Sequence, residues 1–458
     1  MIHGCCLTAA NYAAHARVTA ESFLEQHPGS KFSVLSVEEP APAFSQDEPF
    51  EVLRPADIGV DDSELARRST MYSTQGMAGS MKPLLMAAIL ARGEGSVVLL
   101  DADSCVYGDL GFLEGLLADH PVLLSPHALH PHGLWREDGP EQIFLRAGVI
   151  NAGFVAVGPG GEPFLDWWAE RTHRRCIYNQ RRALLVSQMW LTAAVGLFGS
   201  DVLRDPGCNV AGWNLQARDV EWDGERPTIE GGPLRHFHFA CSFDPRRTGE
   251  LTTLPAQAAW WPALDERPGV ARLVEGYSKR LLEAGFEEAF ATPPRQLTTP
   301  GGKPIEPWMR ESYRVGVMDA EEAGTPEPPN PYLDGDAAFF EWLAGRAAVE
   351  ADEGGEDWGE EREILTALLD RRELLGRIGE LETIRDEAIT WAERSDQRIL
   401  ELEAELQGTQ GRTAPPPAGH ERGAFVQRVG RSPAGPPLRA ARDAAKDLRR
   451  RARSSGKG

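Results

Sequence analysis

The sequence predicts an α/β protein built around a buried parallel sheet, and three observations carry that prediction. The run Ser96-Val97-Val98-Leu99-Leu100 is apolar without alternation, as a strand covered on both faces must be. Residues 2–7, 13–26 and 31–37 read as strand, helix and strand, the opening of a βαβ unit. The 96–100 strand ends abruptly in Asp101-Ala102-Asp103, at the carboxyl edge where open α/β sheets bind ligands.

Each element follows from its own residues. The helix over 13–26 carries an apolar face of Ala16, Val18, Phe23 and Leu24. Thr8-Ala9-Ala10-Asn11-Tyr12 connects it to the first strand at the carboxyl edge; on the residues alone, Asn11 and Tyr12 read as helix start and helix packing. Residues 69–79 are polar and contain Gly, which predicts a loop. A helix is then expected over 82–90, with Pro83 in its first turn, where a missing N–H costs little. Lys82 would lie beside the acidic strand end, placed to meet a phosphate. Pro121-Val122-Leu123-Leu124-Ser125 is another buried strand. His127, His130 and His132 fall in a Pro-interrupted stretch, which reads as a surface loop more readily than as a metal cluster.

The strand over 147–157 is broken by Asn151-Ala152-Gly153. Glycine inside a strand marks a bulge or a close approach, and Asn151 offers both a donor and an acceptor. Helices are expected over 162–174 and 184–197, the second carrying Ser187-Gln188-Met189-Trp190, with Trp167 and Trp168 in the core or at a partner surface. After a turn at Arg204-Asp205-Pro206-Gly207, the alternation of residues 234–239 places Leu234, His236 and His238 on one face. Two carboxylates at i and i+2 repel unless a cation lies between them. With one imidazole from 236 or 238 as third ligand, the set suits Mn²⁺, and Mg²⁺ less well.

In this order the motifs resemble a family: Thr-x-x-Asn-Tyr, the Lys-Pro helix, Val-Val-Leu-Leu-Asp-Ala-Asp, Asn-Ala-Gly-Phe, Gln-Met-Trp, Asn-Val-Ala-Gly-Trp-Asn-Leu and His-Phe-His-Phe. They are similar to those of the bacterial GT-A-fold nucleotide-sugar glycosyltransferases of the glycogenin and lipopolysaccharide galactosyltransferase type, glycosyltransferase family 8. The resemblance covers residues 1–265. It implies a Rossmann-like, mixed but mostly parallel sheet flanked by helices, and transfer of a hexose, with retained configuration, from a nucleoside-diphosphate sugar, first of all a UDP-hexose. The acceptor would be a saccharide, a lipid-linked group or a protein. It further implies Mn²⁺ on Asp101, Asp103 and His238, the donor nucleotide on Thr8, Asn11, Tyr12 and Lys82, and catalytic roles for Asn151 and Gln188 at the sugar. Two departures stand out. Ser187 replaces the Asp that precedes the Gln in the family, and Ala240-Cys241-Ser242 replaces its Ser-Gly. The first favours a rival reading, a catalytically impaired module that serves as a coiled-coil interaction protein. A second rival, a sugar-nucleotide nucleotidyltransferase, needs a Gly-rich basic loop after the first strand, and Cys6-Leu7-Thr8-Ala9-Ala10 is neither.

Composition bounds the partners. The 458 residues carry a net charge of -21, which argues against nucleic acid. From Gly411 onward 12 Lys/Arg face 3 Asp/Glu, so a +9 tail follows a body of -30. Six scattered cysteines without C-x-x-C spacing, no basic apolar leader and no long apolar run predict a cytoplasmic protein. The rest of the chain divides into a helical extension over 266–324, a Pro-rich linker over 325–335 and an acidic helical or coiled-coil segment over 336–407. A basic disordered tail over 408–458 ends it. The heptad track from Ile364 to Leu406 leaves a homodimeric coiled coil and a helix docked on the catalytic domain equally open. The tail reads as a solubilising segment or as a helix for an anionic membrane face.

Overall fold

The structure, a computed structural model, describes residues 2–352 apart from 39–43, 46, 132–139, 180–181, 217, 241 and 255–260. Residues up to Val349 form one compact unit, and a second begins at Glu350. The expected heptad track, the basic tail, His132 and Cys241 lie outside the described residues.

The central sheet has the α/β form expected. It contains β1 (Ile2–Thr8), β2 (Lys31–Ser36), β3 (Glu51–Leu53), β4 (Ser96–Leu100), β6 (Val122–Pro126), β7 (Ile150–Val157) and β10 (Asp201–Val202), in the order β10-β6-β7-β4-β1-β2-β3. Every pairing is parallel except those of β7, which runs antiparallel to both β4 and β6. All five residues of β4 are buried, because helices cover both faces of the sheet. The helix α1 (Ala13–Gln26) spans the residues that periodicity predicts.

The strand β5 (Ser104–Val106) leaves the main sheet immediately after the two aspartates. It joins a small sheet with β11 (Val210–Ala211) and β15 (His236–His238), in the order β11-β15-β5. Its antiparallel register sets His238 opposite Ser104. A hairpin of β8 (Tyr178–Asn179) and β9 (Leu184–Leu185) and a three-stranded sheet of β12 (Val220–Asp223), β13 (Arg226–Ile229) and β14 (Gly232–Pro233) lie outside these layers.

Residues 69–79 are not the loop that their polarity suggests. Apart from Tyr72 and Ser73, which form the corner, they belong to α2 (Asp62–Met71) and α3 (Thr74–Leu90). Ser73 caps α3 by accepting from the Gly76 backbone N–H at 3.2 Å, so Pro83 sits inside the helix and not in its first turn. The glycines serve packing: a Cβ on Gly76 would lie 2.5 Å from the Cys176 carbonyl, and one on Gly79 would lie 2.9 Å from Cys176 Sγ. The helices α4 (Leu113–Asp119), α5 (Pro140–Ala147), α6 (Glu162–Thr172) and α7 (Gln188–Leu197) follow. The last begins at Gln188, since Leu184–Leu185 pair in the hairpin and do not extend the helix.

Beyond residue 265, the helices α8 (Pro268–Glu283), α9 (Phe286–Phe290), α10 (Pro307–Ala323) and α11 (Asp336–Asp352) complete the described chain. The helix α10 packs on α2. From it, the guanidinium of Arg310 donates to the Ser69 and Tyr72 carbonyls, at 2.8 and 2.7 Å, and pins the corner between α2 and α3. The Pro-rich stretch lies along this unit, where Asn330 is buried and donates to Thr70 and Tyr313.

Candidate active site

The site begins with a change of sheet. At Asp101 the chain exits β4 through a turn and re-forms as β5, so both carboxylates sit in the bend. Backbone bonds hold it on two sides: Asp101 N–H donates to the Gly153 carbonyl at 2.8 Å, and Phe239 N–H donates to the Asp103 carbonyl at 2.7 Å. Beneath it, Thr19 donates to the Ala102 and Ser104 carbonyls. The second backbone bond brings His238 into the site from 135 residues away. Its Nε2 lies 3.0 Å from Asp103 Oδ1 and 3.8 Å from Asp101 Oδ2.

One ligand atom from each of Asp101, Asp103 and His238 lies within 4.8 Å of the others. Opposite corners of an octahedron with bonds of about 2.1 Å are about 4 Å apart, so small side-chain adjustments would close the set around one cation. Two carboxylate oxygens and an imidazole nitrogen are a donor set that could hold a divalent cation. Burial opposes a charged His238, yet the Asp103 and Asp101 carboxylates together raise the imidazole pKa above its ordinary value. Burial likewise opposes ionisation of Asp103, and His238 more than compensates, holding the carboxyl low. Of the two strand histidines, His236 faces Phe154 edge-on and is driven neutral by burial.

Lys82 reaches the same bend from the middle of α3. Its Nζ donates to Asp101 Oδ1 at 2.6 Å and to the Ala152 carbonyl at 3.0 Å. Gly153 makes this convergence sterically feasible. A Cβ there would lie 2.6 Å from His238 Cε1 and 2.7 Å from both Asn151 Oδ1 and Asp101 Oδ2.

On the other flank, Asn151 at the start of β7 meets Gln188 at the start of α7. Asn151 Oδ1 accepts from Gly153 N–H at 2.8 Å, and Gln188 Oε1 accepts from Ala152 N–H at 3.1 Å. Gln188 Nε2 donates to the Ala147 carbonyl at 2.7 Å. Ser187 points elsewhere: its Oγ lies near Gly79, buried and without a hydrogen-bond partner among the described residues.

The Thr8–Tyr12 segment lies on the same edge as Asp101, because β1 and β4 run side by side and parallel. Thr8 donates to the Ala9 carbonyl, and Tyr12 stacks on His15 with centroids 4.4 Å apart. Asn11 Oδ1 is buried with no hydrogen-bond partner among the described residues. The buried Glu38, which no sequence motif singles out, accepts from Ala10 N–H at 3.0 Å and Arg295 N–H at 2.9 Å. It thereby ties the 8–12 segment to the chain beyond residue 265. A carboxylate directly after the strand expected over 31–37, at the carboxyl edge, is the signal the sequence offers.

The Asn-Val-Ala-Gly-Trp-Asn stretch proves to be a clamp. Asn214 donates to the carbonyls of His127 and Asn209, both at 2.9 Å, and receives Ala211 N–H at 3.0 Å. The clamp sets Trp213 edge-on to His238 at 5.2 Å. His127 and His130 do not come together as metal ligands: His127 is buried beside Asn151, whereas His130 pairs with Glu230 at 3.0 Å. Ser242, within the segment that departs from the family pattern, has φ +59°, a conformation that glycine adopts more readily.

No protein-family model matches the chain, and no curated protein matches it by sequence. Among solved structures it is similar to the galactosyltransferase LgtC in complex with donor and acceptor sugar analogs, at 16% identity and a TM-score of 0.36. It is also similar to an active-site mutant of LgtC, at 17% identity and a TM-score of 0.32. In both cases the match covers 64% of this chain and 98% of the other. Among the described residues no helix is long and apolar enough to cross a membrane.

Proposed function

We propose that the chain is a metal-dependent GT-A glycosyltransferase that moves a hexose from a nucleoside-diphosphate sugar, first of all a UDP-hexose, to a saccharide, lipid-linked or protein acceptor with retained configuration. The observation that carries this reading is the meeting of Asp101, Asp103 and His238 at the carboxyl edge of the sheet, with the Lys82 ammonium beside them. Asp101, Asp103 and His238 would hold Mn²⁺, which when bound supplies Lewis-acid neutralisation of a diphosphate. Lys82 adds a fixed positive charge where the leaving diphosphate gains negative charge, and a preorganised charge of this kind acts most strongly as the bond breaks. Asn11 Oδ1, already buried and unsatisfied, would accept from a ribose hydroxyl, with Thr8 and Tyr12 lining the nucleoside. Asn151 and Gln188 would face the hexose and fix its anomeric carbon against the acceptor hydroxyl.

A second reading, a nucleotide-binding module with little turnover, draws on Ser187, whose hydroxyl is buried against Gly79 and puts no carboxylate at the sugar. One experiment addresses both. Thermal shifts are measured for a panel of nucleotide sugars with and without Mn²⁺, followed by donor hydrolysis. The transferase reading expects a Mn²⁺-dependent shift, its loss in Asp103→Ala, and slow release of free sugar. Shift without hydrolysis or transfer supports the second reading, and no shift with any donor sinks both.

A further inference from the structure

Every amide orientation on the sugar flank of the site can be assigned from backbone groups that have only one role. The Ala147 carbonyl can only accept, so it faces Gln188 Nε2, at 2.7 Å; Ala152 N–H can only donate, so it faces Gln188 Oε1, at 3.1 Å. Gly153 N–H can only donate, so it faces Asn151 Oδ1, at 2.8 Å. Asn151 Nδ2 is therefore the end that points at His127, 3.2 Å from its Nε2, while its other acceptor, Gln188 Oε1, is at 3.4 Å. An amide nitrogen can only donate, so His127 Nε2 must present a lone pair and the ring proton must sit on Nδ1.

Backbone bonds and ring packing hold His127 in place, while its buried Nδ1 has no hydrogen-bond partner among the described residues and only the Gly148 backbone beside it. The His127 backbone N–H donates to the Val149 carbonyl at 3.0 Å, and its backbone carbonyl receives Asn214 Nδ2 at 2.9 Å. The imidazole lies parallel to Phe144, 9° between planes with centroids 5.5 Å apart, and meets Trp213 edge-on at 5.6 Å. Burial lowers its pKa to about 4, which keeps the lone pair free at neutral pH.

We propose that His127 is a positioning residue: as a neutral Nδ1–H imidazole it fixes the Asn151 carboxamide, and through Asn151 and Gln188 the hexose subsite, without touching the diphosphate site. This inference rests on the transferase reading for its kinetic consequence but not for its chemistry. Without the His127 lone pair, Asn151 Nδ2 keeps only the longer contact to Gln188, and the Gly153 N–H bond to Oδ1 is left to hold the carboxamide against tilting away from the sugar.

The test compares His127→Phe, which keeps the ring between Phe144 and Trp213 but has no acceptor, with His127→Gln, whose amide can present an oxygen near the Nε2 position. Turnover of UDP-glucose and UDP-galactose, by transfer or hydrolysis, is expected to fall at least 10-fold in His127→Phe (about 1.4 kcal/mol). UDP affinity with Mn²⁺ should stay within about two-fold, and most of the turnover should return in His127→Gln. Equal turnover in His127→Phe, equal loss in both variants, or a parallel loss of UDP affinity would overturn the proposal. A ¹⁵N histidine spectrum of the wild-type chain, with the His127 signal identified by its absence in His127→Phe, gives a readout without turnover. Nδ1–H with bare Nε2 is expected, and Nε2–H overturns the assignment even if no donor is ever found. A wild-type chain that shows the expected tautomer but neither binds nor turns over a nucleotide sugar overturns the transferase reading and leaves the tautomer assignment standing.

Discussion

The two flanks of the site are built on opposite principles. One is ionic: Asp101, Asp103, His238 and Lys82 converge with their charges on one another, the imidazole pKa rising and the Asp103 carboxyl held low in consequence. The other is neutral: Asn151, Gln188 and His127 form amide and imidazole bonds terminated by backbone groups. A crowded ionic flank is adjustable, since a cation or a phosphate can replace one internal partner with another. A closed neutral flank is set before any ligand arrives, which suits discrimination among hydroxyl groups. Both flanks meet at Gly153, whose carbonyl holds Asp101 and whose N–H holds Asn151.

The largest effect should come from the ionic flank. Asp103→Ala removes one carboxylate and leaves His238 without its 3.0 Å partner. Transfer or donor hydrolysis should fall by about 10³-fold, on the order of 4 kcal/mol, with loss of the Mn²⁺-dependent thermal shift. Lys82→Met separates two functions that the structure superimposes. Turnover should fall by about 100-fold, as when a preorganised charge donor is lost. Metal binding alone should be no weaker, because Asp101 Oδ1 is released from its 2.6 Å bond to the ammonium. Isothermal titration of Mn²⁺ in the absence of nucleotide checks this; weaker binding would mean that Lys82 shapes the cluster instead of competing within it.

Gly153→Ala tests the junction. The added methyl would collide with His238, Asn151 and Asp101 at once, at 2.6 to 2.7 Å. We expect a loss of about 1–3 kcal/mol in denaturant-measured stability, and both Mn²⁺ binding and sugar turnover should suffer. If only one is affected, the two flanks are not joined at this residue.

What could be read from the sequence divides along the same line. The ionic flank announces itself through local pattern: an apolar strand that stops at two aspartates, and histidines at alternate positions of another strand. Their convergence depends on the β5–β15 register, a pairing across more than 130 residues that no local period encodes. Lys82 is legible beside the acidic strand end, but its helix reads too short, because glycines that admit Cys176 resemble a loop and nothing local marks Ser73 as a cap. The neutral flank was only half legible. Asn151 stands out as a donor and acceptor beside a strand glycine and Gln188 only through the resemblance, whereas His127 reads as one of three loop histidines; only its burial against Phe144 and its bond to Asn151 set it apart.

The smallest expected effect is a reversal of pH dependence. An imidazole whose pKa is higher in the folded state than in the unfolded chain stabilises the fold fully below about pH 6.5, and that contribution is lost as pH rises through the folded value. His238 is such a group, raised by Asp103. The metal-free melting temperature should therefore decline across that window, by more than in His238→Gln. Metal reverses the sign, because a ligating imidazole must be neutral, so Mn²⁺ and the proton compete for Nε2. The stabilisation by Mn²⁺ should grow over the same interval in which the metal-free protein weakens. Parallel melting curves for wild type and His238→Gln from about pH 6 to about pH 9, with a Mn²⁺ increment that stays constant, would mean that His238 neither holds a proton against Asp103 nor exchanges it for a metal. The ionic flank would then be as closed as the neutral one.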